Sequence, residues 1–100
     1  MSLLGGIIRD MRLRHKVQAL NSTPVNLVVK EATDARNSLS IQNVANSGFA
    51  YLGNELVTTS NFGIKLFPGQ IYTIELSPSD DIWAVGDSGV SVAIFNIDRS

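Results

Sequence analysis

Cysteine is missing from all 100 residues, which excludes disulfides, thiolate metal sites and thiol nucleophiles together. There is one histidine, His15, with no second imidazole or thiolate to complete a zinc site, so it reads as an ordinary residue. Charged side chains make up only 17% of the chain, and no apolar run approaches the ~18 residues of a membrane-spanning helix. Residues 1–8 carry a short apolar run that is followed by charge, the reverse of the order in a signal peptide. The protein is therefore expected to be made and kept in a cytoplasm, or released by lysis, and no membrane partner is expected. A phosphate-cradling glycine loop is also lacking, and no cofactor is expected.

What is present is alternation. The stretch from Arg36 to Gly53 reads as two short apolar strands joined by a polar turn, and the same grammar runs on to Ile97. Val25, Leu27 and Val29 alternate with Asn26, Val28 and Lys30, and Leu39 and Ile41 alternate with Ser38, Ser40 and Gln42. Phe49 to Leu52, Ile64 to Leu66, Ile71 to Leu76, Ile82 to Val85 and Val90 to Ile97 complete the set, with Leu56 to Thr59 as a short edge piece. Between them lie turn formers. Gly48 in Asn46-Ser47-Gly48 is placed for a positive φ, and Phe67-Pro68-Gly69-Gln70 has the proline and glycine that a type II turn requires. Roughly eight short strands at even spacing describe a sandwich or barrel, and exclude a doubly wound α/β fold. A chain of this length is one domain that hides roughly 65% of its unfolded surface.

The first residues follow another pattern. Leu4, Ile7, Ile8 and Met11 recur at helical spacing, with Arg9, Asp10 and Arg12 opposite, which predicts a short amphipathic helix weakened by Gly5 and Gly6. Alternation sets in from Leu13, so that His15 to Leu20 could already be strand. Pro24 breaks the segment. The division expected is an arm over 1–23 and a β-sandwich over 24–100. Up to Thr23 four positive charges face one negative, a net +3, whereas from Pro24 onward four positive face eight negative, a net −4. A basic arm ahead of an acidic body is suited to an acidic protein surface. A nucleic-acid partner is not expected, because four basic residues without interleaved aromatics are a weak signal.

Candidate chemistry is sparse. Gly86-Asp87-Ser88-Gly89 spells the motif around the nucleophile of chymotrypsin-like proteases, but the one histidine lies in the expected arm, and no two-barrel body or oxyanion hole can be built from this length. The motif reads as a hairpin loop. Asp80, Asp81, Asp87 and Asp98 could converge on a hard cation, yet they lack EF-hand spacing and read as solvated. Asn21-Ser22-Thr23 matches a glycosylation acceptor but has no secretory signal ahead of it. Tyr51, Trp83 and the other aromatics could include a sugar-stacking platform, although alternation assigns most of them to packed faces. An enzyme is not expected.

Arg36-Asn37-Ser38-Leu39-Ser40-Ile41-Gln42-Asn43, Tyr51-Leu52-Gly53, Val57-Thr58-Thr59-Ser60, Gly63 to Gly69, and Ile82-Trp83-Ala84-Val85 before a valine-rich last strand resemble small structural proteins of tailed-bacteriophage virions. The similarity covers about Val25 to Ile97. It implies an all-β, jelly-roll-like antiparallel sandwich, often trimeric, acting as a capsid decoration (cement) protein in the virion. The partners it implies are the major capsid protein or another virion protein and further copies of the chain. Tail, baseplate or head-tail adaptor roles are alternatives, with a glycan-binding module behind them. The arm lies outside the resemblance. Residue-level reasoning assigns it the assembly contacts, with Leu4, Ile7, Ile8 and Met11 apolar and Arg9, Arg12, Arg14 and Lys16 complementing acid. Removing everything before Val25 is expected to abolish particle binding while the body stays folded.

Overall fold

The computed structural model describes residues 11–28 and 36–99. Eight strands appear in chain order: β1 (Met11–Ala19), β2 (Val25–Asn26), β3 (Arg36–Asn43), β4 (Ala50–Gly53), β5 (Ile64–Leu66), β6 (Ile71–Leu76), β7 (Trp83–Gly86) and β8 (Ser91–Arg99). They form two four-stranded sheets, β1-β8-β3-β6 and β2-β7-β4-β5. Every pairing is antiparallel. The winding is nested: β1 lies beside β8, β2 beside β7, β3 beside β6 and β4 beside β5, the order of an eight-stranded jelly roll.

Period-two alternation supplies the core. From the first sheet Leu39, Ile41, Val92 and Ile94 point inward, and from the second Ala50, Leu52, Leu66 and Ala84 meet them. The opposite faces of β6 follow the sequence reading, with Tyr72, Ile74 and Leu76 turned in and Ile71, Thr73 and Glu75 turned out. A second, smaller cluster lies outside the second sheet, where Tyr51 and Val85 are roofed by Val57. That roof explains why Leu56 to Thr59 is not an edge strand. Asn54 accepts the Leu56 and Val57 N–H groups in a turn that drives Val57 down onto the sheet and leaves Leu56 exposed.

The turns form where their residues demand. Gly48 and Gly69 take φ values of 90° and 82°, and the Gln70 N–H donates to the Phe67 carbonyl at 2.9 Å to close the second turn. The strand expected from Val25 stops after Asn26, because the Asn26 side chain accepts the Val28 N–H at 2.9 Å. This local turn takes the chain out of alternation and buries Leu27 and Val28 together.

The boundary expected at Pro24 falls inside the fold. β1 pairs with β8 at nine successive positions, so residues 11–19 are a full strand of the sandwich. Met11, expected as the last apolar residue of a helix, opens that strand, while the expected helical positions Leu4, Ile7 and Ile8, with Arg9, lie outside the described residues. Leu20 is buried against the core, and a Cβ on Gly86 would approach its Cβ to 2.7 Å. Removing everything before Val25 would therefore strip an edge strand from a sheet and uncover the core, contrary to the expectation of an intact body.

Candidate assembly surface

Of the residues expected to make assembly contacts, the structure describes the side chains of two, Arg14 and Lys16, and puts both on β1. There they alternate with Leu13, His15 and Val17. Register fixes which way each points: Lys16 lies opposite Ile94 and Arg14 opposite the buried Asn96, so the basic pair shares the inward face of the sheet. β2 is only two residues long, and among the described residues it puts little over the inward face of β1. Arg14, Lys16, Leu27 and Ile94 border a small cavity at this rim. His15 is exposed on the outer face beside Phe95 rather than in a separate arm.

The outer face of the first sheet holds what sequence reasoning missed. Three rows cross it, namely Leu13-Ile97-Ser38-Glu75, His15-Phe95-Ser40-Thr73 and Val17-Ala93-Gln42-Ile71. Leu13, Val17, Ile71 and Phe95 are 61%, 66%, 58% and 46% exposed, an unusual concentration of open apolar side chains on one sheet. The signal was present in the spacing of Leu13 and Val17, but alternation alone does not say which apolar face is covered.

The second sheet presents a different surface. The ammonium of Lys65 sits 4.1 Å from the centre of the Phe49 ring, within 6 Å of those of Tyr51 and Phe67. The GDSG loop is the turn between β7 and β8, and its Asp87 works locally. One carboxylate oxygen accepts the Phe49 N–H at 2.9 Å and the other the Tyr51 hydroxyl at 3.5 Å. Burial first, then the Asp87 charge and that hydrogen bond, push the Tyr51 phenol above its ordinary value of 10.0. Tyr51 is buried and Trp83 half-buried, so these two rings give no open platform for a sugar. Among the described residues no group of three or more His, Asp or Glu is placed to hold a metal ion.

No family model matches the chain, and no curated protein matches it. Among solved structures it is similar to a chain from Bacillus endospore appendages, described as forming a novel family of disulfide-linked pili. The TM-score is 0.62 at 11% identity, over 90% of this chain and 86% of that one. At that identity the likeness establishes a shared fold, a small two-sheet β domain. The disulfide linkage named for those pili is closed to this chain, which has no cysteine.

Proposed function

We propose that this protein is a non-enzymatic structural subunit that takes its place in a large, repetitive protein assembly. The observation that carries the reading is the first sheet, with a nine-residue edge strand that holds open apolar side chains on its outer side and a basic pair on its inner side. Repetition suits such a surface, since weak contacts are multiplied by copy number. Within this reading the virion resemblance favours a capsid decoration protein, a trimer seated on the major capsid protein, with Leu4, Ile7, Ile8, Arg9, Met11 and Arg12 joining Arg14 and Lys16 in the contact. The appendage-like fold favours a second setting, the subunit of an extracellular fibre.

Cryo-electron microscopy of particles and filaments from producing cells, labelled with antibody to this chain, tests the reading. Hundreds of copies on phage heads are the expected result, a few copies at the tail would make it an adaptor, and labelled filaments would make it a fibre subunit. Finding the chain only as a free monomer would overturn the structural role. Deleting residues 1–10, which leaves β1 whole, is expected to remove it from the particle without unfolding it.

A further inference from the structure

The two edges of the first sheet differ in character and match one another. β1 carries Arg14 and Lys16 on its inward side, whereas β6 carries Glu75 on its outward side and runs into a loop with Asp80 and Asp81. On the inward side of β6, Tyr72, Ile74, Leu76 and Asp81 border an open mouth between the two sheets. Because strand direction alternates across β1-β8-β3-β6, β1 and β6 run in opposite directions. A second copy displaced sideways, with no flip of the sheet, therefore brings its β1 antiparallel to β6.

We propose that this protein joins copy to copy by strand addition, β1 of one subunit extending the first sheet of the next at β6. The rows continue across the join. Val17 of the incoming strand comes beside Ile71, His15 beside Thr73 and Leu13 beside Glu75, so the exposed Val17 and Ile71 cover each other. On the inner side Lys16 falls in the row of Tyr72 and Arg14 in the row of Ile74, and both basic side chains project over the mouth bordered by Asp81. The contact is head-to-tail, since the two edges are different surfaces, and it generates rings or filaments rather than closed dimers.

Charges on an edge strand commonly guard it against pairing. Here guarding fails as an account. Lys16 on β1 and Asp81 in the loop after β6 are of opposite sign on the same side of the sheet, and Val17 and Ile71 remain 66% and 58% exposed on the strands themselves.

The inference rests on the assembly-subunit reading, and a chain free of cysteine makes it directly testable. Within one molecule β1 and β6 are separated by two strands, about 14 Å at ~4.8 Å per interstrand step, too far for a disulfide. Any bond between cysteines on them is therefore intermolecular. Under mild oxidation the full-length double variants Val17→Cys/Ile71→Cys and Val17→Cys/Thr73→Cys are compared by non-reducing electrophoresis. A Val17→Cys/Leu56→Cys control reports random collision with an exposed loop.

The expected result is a ladder of dimers, trimers and larger species from the Ile71 variant, at least tenfold above the control. A ladder from the Thr73 variant instead supports the same join with the register moved by two residues. Yields no higher than the control in both overturn the proposal, as does a dimer from Val17→Cys alone, which would mean that β1 pairs with itself. Adding Lys16→Glu is expected to lower the ladder at least threefold, and an unchanged yield would overturn the charge match. Loss of the ladder with particle labelling retained would reject this join and leave the structural role standing.

Discussion

Asn43 is fully buried at the end of β3 and works as a staple among three segments. Its side-chain amide donates to the carbonyls of Leu66 at 3.0 Å and Gly48 at 3.1 Å, and its oxygen accepts the Ala45 N–H at 3.0 Å. Its backbone adds two bonds to the β5–β6 turn, from the Gly69 N–H and to the Gln70 carbonyl. Asn43→Ala leaves the backbone bonds and removes the other three. The two part-buried bonds are worth about 1 kcal/mol each, and stranding the buried Leu66 carbonyl costs about 1–3 kcal/mol more. A loss of about 3–5 kcal/mol is a large share of the roughly 5–15 kcal/mol available to a small domain.

With a urea slope of about 1–1.5 kcal/mol per molar, the unfolding midpoint should fall by about 2–5 M. Tryptophan fluorescence of Trp83 follows the transition. Asn43→Asp sharpens the test. It keeps an acceptor for the Ala45 N–H but faces two carbonyls with oxygen instead of nitrogen, so it should be less stable than the alanine variant at pH 7. A loss under about 1 kcal/mol for Asn43→Ala, at an unchanged urea slope, would refute the staple.

Two further outcomes follow from the packing. In Gly86→Ala the new methyl would lie 2.7 Å from the Leu20 Cβ and 3.3 Å from the Val90 Cβ, so backbone must move; a loss of about 1–3 kcal/mol in urea unfolding is expected, and an unchanged midpoint would mean that Leu20 is not seated there. The raised Tyr51 pKa means that the unfolded chain gives up this proton first, so its contribution is intact below pH 10 and is lost as pH climbs through the folded-state value. Tyr51→Phe should flatten that alkaline part of the stability profile, and a slope equal to that of the parent would rule out Tyr51 as its source.

Alternation and turn chemistry made most of the sandwich legible. Leu39, Ile41, Tyr72, Ile74 and Leu76 point as period two requires, and Gly48 and Gly69 supply the positive φ that their turns need. What sequence could not show was set by distant partners. Whether Val57 belonged to a strand or a roof depended on Tyr51 together with Val85, the latter on a strand far along the chain. Asn43 read as one more polar residue of an alternating strand, and only the return of β5 and of the loop after β3 shows what its amide holds. The basic character of residues 9–16 was plain, but its address was not, because β1 finds its place only against β8, some eighty residues later.

That address changes what the charge asymmetry can do. On a flexible arm, four basic side chains would be attracted to any acidic surface, and the apolar residues among them would add affinity without direction. On β1 the spacing is rigid: Arg14 and Lys16 face one side of the sheet, Leu13 and Val17 the other, and the backbone between them offers hydrogen-bonding groups along the strand. In the proposed join such an edge meets an extended strand antiparallel and with one face up. A partner must then offer acid on its inner side, apolar groups on its outer side, and a free edge. In the proposed join β6 of the same chain supplies Ile71 on the outer side and an edge that no further strand covers among the described residues, while the loop that follows it supplies Asp81 beside the inner mouth.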